Sequence, residues 1–107
     1  RVSQQALSFC IMADHCCYII YSESIDSFYI GETEDFNLRL YQHNSGTFNK
    51  AFTKRANDWK LFHIITCDSR SQARKIEKHI KKMKSIKYLL NLKKHPEISL
   101  RLKAKYQ

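Results

Sequence analysis

Glycine and proline are scarce, two glycines and one proline in 107 residues, and no low-complexity linker or internal repeat marks a second domain. Acidic residues are few, 10 against 19 lysines and arginines. No run of eighteen apolar residues exists, so nothing in the sequence reads as a membrane-spanning helix. The four cysteines, Cys10, Cys16, Cys17 and Cys67, show no C-x-x-C spacing, and the five histidines are scattered. A disulfide scaffold and a structural zinc site are therefore not expected, and vicinal Cys16-Cys17 reads as two small hydrophobes in a reducing, cytoplasmic compartment.

What is present is a 43% hydrophobic chain, long enough for one core without staples. Residues 1–11 hold a short apolar patch without a basic leader or a clear cleavage site. They read as an N-terminal extension ahead of a natural start at Met12, with one domain over 12–107.

The net charge is +9, unevenly spread. Residues 1–49 carry two basic and six acidic residues, and residues 50–107 carry seventeen and four. A surplus of that size points to a polyanionic partner, nucleic acid before an anionic membrane.

Two β-branched and aromatic runs, Cys16–Ser22 and Phe28–Gly31, flank the polar segment 23–27 and predict a β-hairpin. Alternation puts Tyr18 and Ile20 on one face and Ile19 and Tyr21 on the other. A turn centred near Ser24 and Ile25 sets Tyr18 diagonal to Tyr29. A helix is expected after Thr33 as N-cap, ending near Asn44 with Gly46 as stop. Phe36, Arg39, Leu40 and His43 fall at i, i+3, i+4 and i+7, so one face carries two ionisable residues where apolar ones are usual.

Residues 47–58 form a basic loop. Residues 59–67 predict a third strand, and a helix capped by Ser69 or Ser71 runs to Lys84, with Ala73, Ile76, Ile80 and Met83 as its buried stripe. Glu77 is the lone acid on that helix. Another helix follows Ser85, and Pro96 starts a terminal amphipathic one. The fold class is α/β, a small mostly antiparallel three-stranded sheet flanked by helices in the order β-β-α-β-α-α.

Taken singly, the chemistry-bearing residues have plain readings. A hairpin tyrosine is usually packing, Arg39 and His43 could be a solvated helix face, and Glu77 an i,i+4 partner for Lys81. Together, their order is informative. The chain resembles the GIY-YIG nucleases, which carry a GIY strand, a YIG strand about ten residues later, an arginine-bearing helix and a downstream glutamate. Phe28-Tyr29-Ile30-Gly31 keeps the second motif. Cys16-Cys17-Tyr18 stands at the first and keeps its tyrosine. Residues 16–92 carry the likeness, which is strongest to small stand-alone bacterial members.

The resemblance implies an endonuclease that cleaves a DNA phosphodiester in one hydrolytic step with one Mg²⁺ or Mn²⁺. Its site would comprise Tyr18, Tyr29, Arg39, His43, Glu77 and Asn91. Such chemistry needs an activated water, charge stabilisation on phosphate and help for the leaving oxygen. A lone carboxylate can anchor Mg²⁺ that keeps most of its water, and Arg39 offers a permanent bidentate fork. A phenol, with a pKa of about 10, is a poor base unless Arg39 and a metal lower it. Tyr18 or Tyr29 would be the base, and His43 would share the proton transfer or contact phosphate.

Glu32 follows the YIG glycine where some relatives place lysine. It either weakens phosphate attraction or finds a basic partner. Lys50, Lys54 and Arg55 are the first choice for backbone contacts, and Arg74, Lys78, Lys81 and Lys82 the second. A monomer or weak dimer is expected. The competing readings are a catalytically weak nucleic-acid-binding module on the same fold and, more remotely, a thiol protein centred on Cys16-Cys17.

Overall fold

The computed structural model describes residues 15–107, so the expected extension over 1–11, the start at Met12 and Cys10 lie outside the described residues. The chain forms β1 (His15–Ser22), β2 (Ser27–Thr33), α1 (Phe36–Ser45), a 3₁₀ turn (Phe52–Arg55), β3 (Trp59–Cys67), α2 (Arg70–Met83), α3 (Ile86–Lys94) and α4 (Pro96–Lys105). The sheet is antiparallel throughout, in the order β2-β1-β3. This is the expected three-stranded architecture, with the helix after Pro96 closing it.

As the central strand, β1 is covered on both faces, and Cys16 to Ile20 are all buried. One face carries Cys17 and Ile19 into a core with Ile65 and Cys67 of β3, Ala73, Ile76 and Ile80 of α2, and Leu89, Leu92 and Leu102. The other carries Cys16, Tyr18 and Ile20 against Phe36 of α1 and Trp59. Vicinal Cys16 and Cys17 thus point to opposite cores, both buried. Cys17 is pushed well above the usual thiol range, chiefly by burial, which suits a hydrophobe and not a nucleophile.

The hairpin pairs Ser22 with Ser27, and Tyr18 and Ile20 face Gly31 and Tyr29 respectively. Tyr18 and Tyr29 are therefore diagonal neighbours, their ring centroids 6.4 Å apart. Asp26 takes the left-handed conformation at φ 48°, one that aspartate tolerates better than most residues. Asp58, just before β3, ties the turn down. It accepts from Ser22 Oγ (2.6 Å), Ser24 N (2.9 Å) and Ser24 Oγ (2.9 Å), which pulls its pKa down to about 2, Ser22 first.

Several local expectations are corrected. Asp35, not Thr33, caps α1: its carboxylate accepts from Leu38 N at 3.1 Å. Thr33 is still in β2, paired with Cys16, and its hydroxyl accepts from Asp35 N instead. Gly46 ends the helix at φ 76° as expected. The basic segment contains a 3₁₀ turn, anchored where Trp59 Nε1 donates to Thr53 O at 3.0 Å. Ser69 caps α2, whose buried stripe includes Gln72 in place of Met83, 45% exposed at the helix end. Gln72 is buried because its amide is used: Oε1 accepts from Asp68 N and Nε2 donates to Lys103 O.

Candidate active site

The edge strand β2 has α1 on one side and α2 on the other, and a cleft of about 480 Å³ opens where the three meet. Tyr29, Gly31 and Glu32 come from β2, Arg39 from α1, Phe48, Lys50 and Phe52 from the basic segment, and Arg70, Arg74, Glu77 and Lys81 from α2. Six of the sequence-predicted residues, Tyr29, Arg39, Lys50, Arg74, Glu77 and Lys81, thus line one cleft. Tyr18 and His43 lie behind it, 0% and 1% exposed. Lys54 and Arg55 sit exposed on the 3₁₀ turn. Lys78 is on the next surface of α2, beside Arg74 and Lys81. Asn91, on α3, is not among the lining residues.

Gly31 is needed for close approach. A Cβ there would lie 2.5 Å from the Tyr18 hydroxyl oxygen and 2.6 Å from Cζ, so the phenol end of Tyr18 abuts the cleft floor because the YIG motif ends in glycine. Phe36 and His43 hold the same ring at centroid distances of 5.5 and 5.8 Å.

The Tyr18 hydroxyl is 2.8 Å from His43 Nε2. His43 Nδ1 is buried with no partner among the described residues. Burial, then Arg39, hold the His43 pKa down at about 4, so the imidazole is neutral near pH 7. Burial raises the pKa of Tyr18, with nearby Arg39 opposing. Tyr29 is also raised, first by burial, with Glu77 adding and Lys81 and Arg39 opposing. The expected lowering by Arg39 is present in both phenols but smaller than desolvation, so both stay protonated in the metal-free chain.

Arg39 is fixed from two sides. Its Nη1 donates to Glu32 O at 3.1 Å, and its guanidinium carbon lies 4.5 Å above the centre of the Phe48 ring. Phe48 also packs on His43 at 4.4 Å. This ring went unread in the sequence, where one aromatic in a polar basic loop carries no periodic signal. Glu32 has found basic partners: its carboxylate lies 2.8 Å from His15 Nε2 and 3.9 Å from Arg70 Nε. The Arg70 guanidinium thus stands beside Glu32 at the cleft wall. Arg70 likewise went unread.

Glu77 Oε2 is 2.7 Å from Lys81 Nζ, and that ammonium also lies 5.9 Å from the centre of the Tyr29 ring. Among the described residues, no three His, Cys, Asp or Glu side chains gather into a metal-binding group. One hard carboxylate, Glu77, in a largely cationic cleft still fits a Mg²⁺-like ion, which keeps several waters and leans on substrate phosphate oxygens. No helix among the described residues is long and apolar enough to cross a membrane.

Comparison with known proteins shows the chain's family. The chain is 37% identical over 81 residues, 75% of its length and 93% of the relative's, to the UPF0213 protein of Syntrophus aciditrophicus (strain SB). No solved structure matches it. The family model for the GIY-YIG catalytic domain matches residues 14–88, the span that supplies β1, β2, α1, β3 and α2 and every residue lining the cleft. With that span and the arrangement of tyrosines, arginine and glutamate around β2, the chain belongs to the GIY-YIG catalytic domain family, a domain of nuclease type.

Proposed function

We propose that the protein is a divalent-metal-dependent endonuclease that hydrolyses DNA phosphodiesters in a single step at the β2 cleft. The observation that carries the reading is the convergence of Tyr29, Arg39 and Glu77 on one cleft, with the Tyr18–His43 pair directly behind its floor.

Each side chain has a task its environment suits. Arg39 keeps its charge at all relevant pH and holds a fixed plane, so its remaining N–H groups meet the non-bridging oxygens of the scissile phosphate. Glu77 would hold the Mg²⁺ or Mn²⁺ ion, which supplies Lewis-acid stabilisation of charge on the phosphoryl group. Tyr29 orients the attacking water from the cleft wall. Tyr29 would also take that water's proton once the metal and Arg39 lower its pKa. His43 Nε2, 2.8 Å away, holds the buried Tyr18 hydroxyl in place behind it. Lys50, Arg74, Lys54, Arg55 and Lys78 flank the cleft and attract the phosphate backbone. Phosphate contacts of this kind give strong salt dependence and little sequence preference.

Labelled single-stranded, duplex and branched DNA, and RNA, incubated with and without Mg²⁺ or Mn²⁺, test the reading. Metal-dependent cleavage is expected, lost in Glu77→Ala and in Arg39→Ala. Cleavage that survives both substitutions refutes the mechanism. Binding of every substrate without cleavage makes the chain a binding module.

A further inference from the structure

Behind the cleft, α2 and the end of α4 enclose a second groove of about 620 Å³. Lys75, Lys78, His79, Lys82, Met83, Lys105 and Tyr106 line it. Four of these seven are lysines and none is acidic. The floor is aromatic. Tyr106 and His79 meet edge to face at 5.6 Å, joined by a 2.9 Å hydrogen bond between the Tyr106 hydroxyl and His79 Nδ1, and Tyr88 lies 6.2 Å beyond His79. Burial, Lys105 and Lys82 lower the His79 pKa, so the floor adds no positive charge of its own near pH 7.

The groove is continuous with the cleft. Arg74, Glu77 and Lys81 share a stripe of α2 that faces the β2 cleft, and Lys75, Lys78 and Lys82 form the adjacent stripe, about 100° around the helix. Arg74, Lys75, Lys78 and Lys81, with Glu77 paired to Lys81, also line a shallow surface between the two. A cationic path therefore crosses α2, whose width is about 10–12 Å.

We propose that this groove binds the single-stranded continuation of the nucleic acid whose phosphodiester sits in the β2 cleft. The lysines track the phosphates and the Tyr106–His79 floor stacks bases. A basic rim over aromatic faces suits a single strand, whose bases are free to stack, and not a duplex, whose bases already pair with each other. The proposal rests on the nuclease reading for its first contact and adds the substrate class: a strand with a single-stranded segment beside the cut.

The test reads binding by the full chain in chelator, without metal, by fluorescence anisotropy. The probes are labelled single strands of four and sixteen nucleotides and a sixteen-base-pair duplex. Replacing Lys75, Lys82 and Lys105 with alanine is expected to weaken sixteen-nucleotide binding about tenfold or more. It should cut the slope of log affinity against log salt by about 2, at ~0.7 for each phosphate no longer neutralised. Four-nucleotide binding should hold, since that length fills the cleft alone. Tyr106→Leu is expected to weaken only the long single strand, and Tyr106→Phe, which keeps the ring, is expected to bind normally.

An equal loss when Lys60, Lys87 and Lys94 are replaced instead overturns the proposal, because net charge then explains the effect. Equal losses on duplex and single strand also overturn it. So does loss of anionic-vesicle binding with oligonucleotide binding intact. A chain that binds as expected but cuts nothing refutes the nuclease reading alone. A chain that cuts while the triple variant binds like wild type refutes the groove alone.

Discussion

The Tyr18 hydroxyl and His43 Nε2 are 2.8 Å apart in a pocket closed to solvent, while His43 Nδ1 has no partner among the described residues. The fold therefore holds a neutral imidazole against a protonated phenol, with Arg39 the nearest charge acting on both. Burial makes the charged imidazole expensive, and that has a consequence for pH.

With its folded pKa at about 4 against an ordinary 6.5, His43 favours the native state fully only above about pH 6.5. That contribution is lost as pH falls from 6.5 through 4, where the unfolded chain binds the proton first. The loss is on the order of 3 kcal/mol, about 1.36 per pKa unit. Thermal melts of wild type and His43→Gln across that window check it. The wild-type midpoint is expected to fall more steeply, and parallel curves refute the burial of a neutral His43.

Gly31→Ala should destabilise by about 1–3 kcal/mol, the usual cost of overpacking a filled site. The new Cβ would meet Tyr18 at 2.5 Å, and that ring is confined by Phe36 and His43. Pairing it with Tyr18→Leu removes the obstructing phenol, so the double variant should be less destabilised than the sum of the singles. Denaturant midpoints measure this, and strict additivity counts against the contact.

Lys81 Nζ, 2.7 Å from Glu77 Oε2, sits where a divalent cation would compete for the carboxylate. The Lys81→Ala chain should bind Mn²⁺ more tightly, by about 1.4- to fivefold, given the 0.2–1 kcal/mol typical of a part-exposed pair. Calorimetry or manganese resonance titration reads this without activity. Unchanged or weaker binding rules out competition between ammonium and metal.

Much of this was legible in the sequence. The hairpin register followed from period-two alternation about a polar turn, and the helix faces from spacing at three and four residues. Alternation set Tyr18 beside Tyr29 and helix spacing put Arg39 and His43 on one face, but only the resemblance to the GIY-YIG nucleases joined the two pairs. The contacts that depend on chain path were not legible. Phe48 beneath Arg39, Arg70 beside Glu32 and the Tyr106–His79 floor join residues whose separation in sequence carries no periodic signal. Asp35 displaced Thr33 as cap because β2 runs through Thr33, and strand pairing outranks side-chain preference there. The balance of burial over Arg39 at the phenols also needed the fold, since the sequence shows which charges are present but not how much water is excluded.

Arg39 offers the sharpest chemical test. One nitrogen is committed to the Glu32 carbonyl at 3.1 Å and the guanidinium face to Phe48 at 4.5 Å, leaving other N–H groups in a fixed plane at the cleft. Lysine keeps the positive charge but is a flexible point donor that cannot satisfy the carbonyl, cover the ring and fork onto phosphate together. Arg39→Lys should therefore retain the fold, bind DNA with nearly wild-type salt dependence, and lose about 10²–10³ in single-turnover cleavage, the scale of one preorganised transition-state donor. Circular dichroism, binding isotherms and quenched-flow cleavage separate the three. If the lysine variant cuts at the wild-type rate, charge alone serves the phosphate and the planar anchoring of Arg39 is structural.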